Sequence, residues 1–262
     1  MRRIDAVFAR HKKPAFIGFT VAGDPDKETS IRAAMALIKG GTDILELGIP
    51  FSDPVADGPT IQKADERSLA SGTTVDTVFD IVREIRKRSE VPIVFLVYFN
   101  VVCHRGIDRF YREAHEAGVD GILVADMPVE EADEVYKAAL RNYIDPIFLI
   151  TQTTSDTRIK KIAAKSRGYL YLVAVLGVTG VRDRVSSDAL DLLKRVRKFT
   201  EVPLALGFGI STPDHAKTCA AAGADGVIVG SAIVDIISRN PQNPDAMERD
   251  LEAYVSEMKK AL

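Results

Sequence analysis

The residues best suited to catalysis lie in the stretch from 43 to 62, which reads DILELGIPFSDPVADGPTIQ. Glu46 sits inside a short apolar run, Ile44–Leu47, that is typical of a buried β-strand. Burying a carboxylate among aliphatic side chains is costly unless it is paired or protonated, so Glu46 is a candidate for acid–base chemistry. Asp53 and Asp57 follow in a loop rich in glycine and proline. The alternative interpretation is a strand-edge charge followed by ordinary turn aspartates, because Asp-Pro is common in turns.

Glycine-rich segments near the end of the chain indicate a phosphate site. Gly207–Ser211 (GFGIS) and Gly230-Ser231 each follow a short apolar run. Backbone N–H groups at a helix start attract an anion, and glycine lets a phosphate approach closely. The segment Gly177–Gly180 (GVTG) could join this site from one side or act as a lid. The alternative is that all of these are plain turn glycines.

Aromatic residues accompany these groups. Phe19, Tyr98, Tyr171 and Phe208 fall in or just after apolar runs, and together they could line a flat apolar pocket. For each of them, packing in the core is the competing interpretation.

Several other chemistries lack the residues that they require. No lysine falls at the end of a predicted strand, which disfavours a Schiff-base aldolase. His11, His115 and His215 fall on predicted helices and only His104 on a loop, so we expect no metal site. There is no Walker loop, and no G-x-G-x-x-G motif follows the first strand. What remains is acid–base chemistry by carboxylates beside aromatic side chains and a phosphate-binding rim.

The elements that must position these residues alternate along the chain. Short apolar runs suit strands of a parallel sheet that is covered on both faces, and each run is followed by a helical pattern. This alternation predicts an α/β fold, a (β/α)8 TIM barrel, rather than an open sheet, with an extra N-terminal helix and extra helices after strands 2 and 8. The predicted strands are Ala15–Val21, Ile44–Leu47, Ile93–Tyr98, Gly121–Val124, Pro146–Ile150, Tyr169–Leu176, Leu204–Leu206 and Gly226–Val229. One predicted helix follows the first strand and ends near Lys39. The other main predicted helices are Thr60–Ala70, Val75–Arg88, Ile107–Ala117, Val129–Arg141, Asp156–Ser166, Asp188–Phe199, Pro213–Ala222, Ala232–Ser238 and Ala246–Leu262.

Length and composition agree with one barrel. The chain has 262 residues, 46% of them hydrophobic, and no linker-like tract divides it, so we predict one domain over 1–262. The net charge of −2 comes from interspersed charges, which indicates no nucleic-acid partner. The first residues predict an amphipathic helix rather than a signal peptide, and no run is long enough to span a membrane. Cys103 and Cys219 are isolated, which favours a reducing, cytoplasmic location.

These motifs resemble the α subunit family of tryptophan synthase over essentially the whole chain. The most specific strings are Leu45–Pro54 (LELGIPFSDP) and Ala56–Gln62 (ADGPTIQ), supported by TVAGDP at 20–25 and VADMPVEE at 124–131. The resemblance implies a barrel that cleaves indole-3-glycerol phosphate to indole and glyceraldehyde 3-phosphate in tryptophan biosynthesis. It implies no cofactor and no metal on this subunit. It also implies a partner, the pyridoxal-phosphate β subunit, in an αββα heterotetramer.

The resemblance also implies roles for individual residues. Glu46 matches the catalytic acid/base, and Asp57 matches the second catalytic carboxylate. The pocket positions are Phe19, Tyr98 and Tyr171, the phosphate positions are Gly180, Phe208, Gly209, Gly230 and Ser231, and the partner-facing positions are Asp53, Pro54, Asn100 and Asp126. The chain departs from the family pattern at Ala174–Leu176, where polar residues are usual, and at Leu206, where glutamine is frequent.

The two carboxylates suggest how the bond is broken. Protonation of indole C3 creates an electron sink, and loss of the glycerol hydroxyl proton then lets the C3–C3′ bond break as a retro-aldol. Glu46, in apolar surroundings, is the better proton carrier, while Asp57 stays ionised near the indole N–H. Two alternatives stay open at this point. One is another phosphate-binding barrel, such as a phosphosugar isomerase or epimerase or a different indole-pathway enzyme, and the other is a non-catalytic regulatory subunit.

Overall fold

The strands close into a barrel in the computed structural model, which describes residues 1–10, 13–173, 187–207 and 209–262. Each strand pairs in parallel with the next in the sequence, and the last pairs with the first, with Ala15 opposite Gly226. The (β/α)8 prediction is therefore confirmed. The strands are β1 (Ala15–Val21), β2 (Ile44–Gly48), β3 (Ile93–Val97), β4 (Gly121–Val124), β5 (Asp145–Thr151), β6 (Leu170–Val173), β7 (Leu204–Gly207) and β8 (Gly226–Val229).

The helices follow the strands in the same alternation. An N-terminal helix precedes β1, and additional helices follow β2 and β8, as the sequence predicts. The helices are α1 (Arg3–Arg10), α2 (Lys27–Gly40), α3 (Pro59–Ala70), α4 (Val75–Arg86), α5 (Phe99–Arg105), α6 (Ile107–Ala117), α7 (Asp133–Arg141), α8 (Asp156–Lys165), α9 (Ser187–Arg197), α10 (Pro213–Ala221), α11 (Ser231–Arg239) and α12 (Pro244–Ala261).

Local signals explain where several helices begin and end. Asp26 caps α2 by accepting the Thr29 backbone N–H at 2.9 Å. Gly41 ends that helix with a φ of 109°, a left-handed conformation that glycine adopts without steric cost. Thr74 and Thr77 form a reciprocal capping box at the start of α4.

The strand period divides the core into two layers. Alternate residues of each strand point outward to the helices, as Leu45 and Leu206 do, while the others pack inside the barrel. Ile17, Ile44 and Tyr169 belong to the inner layer. Two residues further along the chain in each case lie Phe19 on β1, Glu46 on β2 and Tyr171 on β6. Phe19 pairs with Glu46 in the sheet, so the period of two brings predicted site residues of neighbouring strands together.

The structure corrects three local predictions. A short helix that the sequence did not indicate, α5, follows β3 directly, and it places His104 on a helix instead of a loop. Tyr98 is the N-cap of that helix rather than the last strand residue, and its side chain makes no capping hydrogen bond. Helix α7 begins at Asp133 rather than Val129, because a turn closed by the Glu131 N–H and the Pro128 carbonyl at 3.0 Å comes first.

Two observations bear on the remaining sequence-based predictions for the fold. The predicted sixth strand extends to Leu176, but residues 174–176 lie outside the described residues. Within the described ranges, no helix combines the length and the apolar character needed to cross a membrane.

Candidate active site

Glu46 lies inside the barrel on β2, with no exposure to solvent. The Tyr169 hydroxyl donates a hydrogen bond of 3.1 Å to Glu46 Oε1, whereas Oε2 is buried and has no partner among the described residues. Burial raises the pKa of Glu46 to about 8, the nearby Asp57 charge adds to the rise, and the Tyr169 hydrogen bond opposes it. Glu46 is thus a carboxyl that holds its proton at neutral pH, with one oxygen that bonds no described residue.

Asp57 lies above Glu46 on the loop between β2 and α3, and it is half-buried. The Tyr98 hydroxyl donates a hydrogen bond of 2.6 Å to Asp57 Oδ2 and accepts one of 3.0 Å from the Ala56 N–H. Burial raises the pKa of Asp57 and the Tyr98 hydrogen bond lowers it. The Phe51 ring stacks on Tyr98 with centroids 5.1 Å apart, so the loop is fastened to the end of β3.

Phe19 and Tyr171 complete the wall around the two carboxyls. The pKa of the Tyr171 hydroxyl is raised by burial first and then by the Glu46 and Asp57 charges, so this hydroxyl faces both. A Cβ at position 207 would lie 2.5 Å from the Tyr171 ring, which explains why glycine stands there. Tyr98 and Tyr171 therefore lie beside the carboxyls, and Phe19 is the strand partner of Glu46.

The rim at the end of β8 is partly described. Ser231 is the first residue of α11, and Gly230 precedes it, so N–H groups of this helix start face the barrel mouth. A Cβ at Gly230 would lie 3.0 Å from the Phe19 ring, so the rim adjoins the pocket. Gly209 is exposed and has a φ of 73°. Gly180 and Phe208, also predicted for this site, lie outside the described residues.

The predicted partner-facing residues lie at the same end of the barrel, three of them on loops, whereas Asn100, predicted on a loop, lies on α5. Asp53 is exposed beside the half-buried Pro54. Asn100 is exposed on α5, and Asp126 after β4 accepts the Phe99 N–H at 2.7 Å. This bond joins the β4 loop to the start of α5.

Two residues at this site are not among the sequence-predicted site residues. Tyr169 was predicted only as the first residue of the sixth strand, yet it is the hydrogen-bond donor to Glu46. Asp65 was not predicted, and it is 4% exposed on α3. A signal for Asp65 was present, because Ile61, Ala64 and Ser68 on the same helical stripe are buried as well.

The described ranges hold no cluster of three or more His, Cys, Asp or Glu side chains that could bind a metal ion. Of the histidines there, His104 is exposed on α5, and the buried His215 Nδ1 accepts the Ser211 N–H at 3.4 Å.

Comparison with known proteins assigns this geometry to a family. A family model described as "Tryptophan synthase alpha chain" matches residues 6–262. The chain belongs to the tryptophan synthase alpha chain family. A tryptophan synthase alpha chain from Methanoregula boonei is 71% identical over 261 residues, which cover 100% of this chain and 98% of that protein. One from Escherichia coli is 44% identical over 265 residues, which cover 100% of this chain and 99% of that protein.

Solved structures agree with this membership. A chain of the tryptophan synthase a2b2 complex from Pyrococcus furiosus superimposes with a TM-score of 0.90 at 39% identity, covering 95% of this chain and 99% of that one. Mycobacterium tuberculosis tryptophan synthase gives a TM-score of 0.90 at 33% identity, and the match covers 99% of this chain and 98% of that one. The tryptophan synthase alpha chain is a lyase that cleaves indole-3-glycerol phosphate in tryptophan biosynthesis, so this expectation is confirmed. The isomerase and regulatory-subunit alternatives are therefore set aside.

Proposed function

We propose that this chain cleaves indole-3-glycerol phosphate with Glu46 as the proton carrier and Asp57 as the charged partner. The observation that carries the proposal is the contrast between the two carboxyls. Glu46 is fully buried, and burial raises its pKa to about 8, whereas Asp57 is half-buried, and the Tyr98 hydrogen bond opposes the rise that burial causes in its pKa. Two carboxyls that are buried to different extents suit paired acid and base roles.

The reaction can be balanced with Glu46 alone as the carrier. The protonated carboxyl delivers its proton to indole C3, which turns the ring into an iminium electron sink. The resulting carboxylate takes the proton of the C3′ hydroxyl, the C3–C3′ bond breaks, and its electrons return to the ring. Glyceraldehyde 3-phosphate and indole are released, and Glu46 regains its initial proton. The buried oxygen Oε2, which has no partner among the described residues, is free for these transfers.

Asp57 contributes charge rather than a proton. Positive charge develops on the indole nitrogen when C3 is protonated, and a carboxylate that bonds the N–H stabilises that charge. The Tyr98 hydroxyl fixes one oxygen, Oδ2, of this carboxylate. The aromatic walls at Phe19 and Tyr171 suit a flat apolar indole ring, and both side chains are at most 7% exposed.

The phosphate is proposed to bind at the rim formed by Gly209, Gly230 and Ser231, together with Gly180 and Phe208. Support comes from the start of α11, because no acidic residue lies in its first turn to repel an anion. The contact between the Gly230 position and the Phe19 ring means that one ligand can reach both the rim and the pocket.

The partner is proposed to be a β subunit that carries pyridoxal phosphate, in an αββα heterotetramer, with no cofactor on this chain. Asp53, Pro54, Asn100 and Asp126 supply the interface, which is supported by their position at the barrel mouth on the β2 loop, on α5 and on the β4 loop. Binding there would act on Asp57 through the β2 loop, with a coupling of about 1–3 kcal/mol.

The chain is also proposed to form one domain over 1–262, which is supported by the pairing of β1 with β8. It works in the cytoplasm, which is supported by two free cysteines, one exposed and one buried.

Turnover of indole-3-glycerol phosphate by the purified chain tests the two carboxyl roles. Glu46→Gln is expected to lower kcat by roughly 10²–10⁴-fold while a glycerol-phosphate ligand still binds. Asp57→Asn should lower kcat severely without a matching rise in KM. Glu116→Gln, on the exposed face of α6, is the control. Near-normal turnover by Glu46→Gln would exclude Glu46 as the proton carrier, and an effect of Asp57→Asn on KM alone would reduce Asp57 to substrate binding.

Addition of a tryptophan synthase β subunit tests the partner. Indole release should increase, and a complex should elute earlier than either component in size-exclusion chromatography. Asp53→Ala should weaken the stimulation. No complex and no stimulation would refute the partner, whereas full stimulation of Asp53→Ala would show that the coupling avoids this loop.

A further inference from the structure

The segment after β7 carries Gly209, one of the residues proposed to bind the phosphate, and it leads into α10. Gly209 has a φ of 73°, which glycine adopts without steric cost, so this residue does little to fix the path of the chain. Ile210 packs in the core, but among the described residues the backbone of 209–211 makes no hydrogen bond to another backbone group. The polar anchors of this segment are therefore side chains.

Two side chains hold the backbone of Ser211, the last residue of the GFGIS string. The Tyr254 hydroxyl, on α12, donates a hydrogen bond of 2.9 Å to the Ser211 carbonyl. The Ser211 N–H donates to Nδ1 of His215, in the first turn of α10, at 3.4 Å. Both backbone polar groups of Ser211 are therefore bonded, although the residue is exposed.

The two side chains are themselves held in place. His215 is 6% exposed, and its N–H donates to the hydroxyl of Thr212, the N-cap of α10, at 3.3 Å. Tyr254 is half-buried, and burial raises the pKa of its hydroxyl, so the hydroxyl keeps the proton that it donates. Helix α12 packs against α10 and also against α11, which begins at Ser231 on the rim. One helix thus contacts the helices that follow both parts of the rim.

We propose that Tyr254 and His215 are positioning residues for the phosphate group of the substrate, acting through the backbone of Ser211. The proposal rests on the phosphate site proposed above. Neither side chain belongs to the residues proposed to touch the substrate, and both limit the freedom of the backbone that receives the anion. A segment that is already in place binds an anion more tightly, because less ordering is needed on binding.

Calorimetry with glycerol phosphate, together with kcat and KM for indole-3-glycerol phosphate, tests the proposal in the full-length chain. Tyr254→Phe keeps the ring and removes the donor, and His215→Leu removes the acceptor. His215→Asn restores an oxygen acceptor on a short side chain. Tyr136→Phe on α7 and His115→Leu on α6 are the matched controls, because these helices follow strands across the barrel from β7 and β8.

The expected results separate positioning from a general structural role. Tyr254→Phe and His215→Leu should each raise Kd for glycerol phosphate and KM by roughly 3- to 10-fold, while kcat changes less than about twofold. His215→Asn and both controls should stay within about twofold of the parent in all three quantities. Tyr254→Phe leaves the ring packed, so it decides the point even if His215→Leu does not fold.

Three results overturn the proposal. One is a parent-like Kd for glycerol phosphate in Tyr254→Phe or in folded His215→Leu. Another is a fall in kcat at unchanged KM, which would indicate a general loss of the active structure. The third is a loss in His215→Asn equal to that in His215→Leu, because the acceptor would then be irrelevant.

Hydrogen–deuterium exchange without ligand reports the anchor alone. The amides of 209–212 should exchange roughly 3- to 10-fold faster in Tyr254→Phe than in the parent, and parent-like exchange overturns the proposal. Failure of the phosphate site appears instead in Ser231→Asp. If that variant binds glycerol phosphate like the parent, the phosphate lies elsewhere and the positioning role falls with the site. Weaker binding by Ser231→Asp with parent-like binding by Tyr254→Phe refutes the positioning role alone.

Discussion

Replacing Tyr169 with phenylalanine isolates the hydrogen bond that tunes Glu46. The variant keeps the ring inside the barrel and removes the hydroxyl that donates to Oε1 at 3.1 Å. This donor favours the charged form of Glu46, so its loss raises the pKa of the carboxyl above the parent value of about 8. A hydrogen bond to a charged acceptor contributes about 1.5–3 kcal/mol, and each 1.36 kcal/mol is a factor of ten. The ionised fraction of Glu46 near neutral pH should therefore fall roughly 10- to 100-fold.

The consequence for the reaction has a definite sign. In the proposed sequence of proton transfers Glu46 begins protonated, so kcat of the parent should fall as pH rises through about 8. In Tyr169→Phe this fall should move to higher pH. Titration of ¹³Cδ-labelled glutamate by NMR measures the Glu46 pKa directly, with Glu46→Gln identifying the resonance. Tyr111→Phe is the control, because Tyr111 is equally buried but packs in the outer layer.

Two results would refute this reasoning. An unchanged Glu46 pKa in Tyr169→Phe would mean that the Tyr169 hydroxyl does not bond the carboxylate in solution. A parent kcat that rises through pH 8 would mean that Glu46 begins as a base, and the order of the two proton transfers would be reversed.

Three further substitutions test the rim, an ion pair and a close contact. Ser231→Asp places a negative charge at the start of α11 and should weaken binding of glycerol phosphate, measured by calorimetry, without loss of the fold. Arg67→Met leaves the fully buried Asp24 without its bidentate partner at 2.7 and 2.8 Å. The free energy of unfolding in urea should fall by about 2–3 kcal/mol, which is less than for a fully buried ion pair because Arg67 is 34% exposed. Gly207→Ala pushes a Cβ against the Tyr171 ring and should cost about 1–3 kcal/mol of stability.

Matched controls exist for each of these changes. Ser238→Asp, near the other end of α11, adds the same charge far from the rim and should leave ligand binding unchanged. Arg83→Met breaks an exposed pair with Asp80 and should cost at most about 1 kcal/mol. Gly58→Ala meets no atom within 4 Å and should be nearly neutral. Weaker ligand binding in Ser238→Asp would contradict the explanation given for Ser231. Equal losses of stability in Arg67→Met and Arg83→Met, or in Gly207→Ala and Gly58→Ala, would contradict the explanation given for the ion pair or for the close contact.

The alternation of apolar residues along strands and their helical spacing along helices were sufficient to predict most of the fold. β1, β4, β8 and α6 have the predicted bounds, because each is an apolar or amphipathic segment bounded by turn residues. Helix α5 was not predictable in this way, since it has only seven residues and its N-cap, Tyr98, makes no side-chain capping hydrogen bond.

The site was predictable where a residue conflicted with its neighbours in the sequence. Glu46 stood out as a charge within an apolar strand, whereas Tyr169 looked like any core aromatic. Its hydroxyl meets Glu46 across the interior of the barrel, 123 residues away in the chain, and such a contact leaves no local signal. Asp65 looked like one of several charges on a surface helix, although it lies four residues after the apolar Ile61, on the stripe that is buried.

The pairing of β8 with β1 has a consequence for the chain during its synthesis. The ribosome releases Glu46 long before residues 226–229, which close the barrel. Until that strand docks, the interior is open to water, and Glu46 behaves as a hydrated carboxylate with a pKa near its ordinary value of 4.5. A nascent chain or a fragment that stops before β8 therefore carries the residue but not the raised pKa that keeps it protonated at neutral pH. The proton donor of the proposed reaction comes into being only when the last strand is in place.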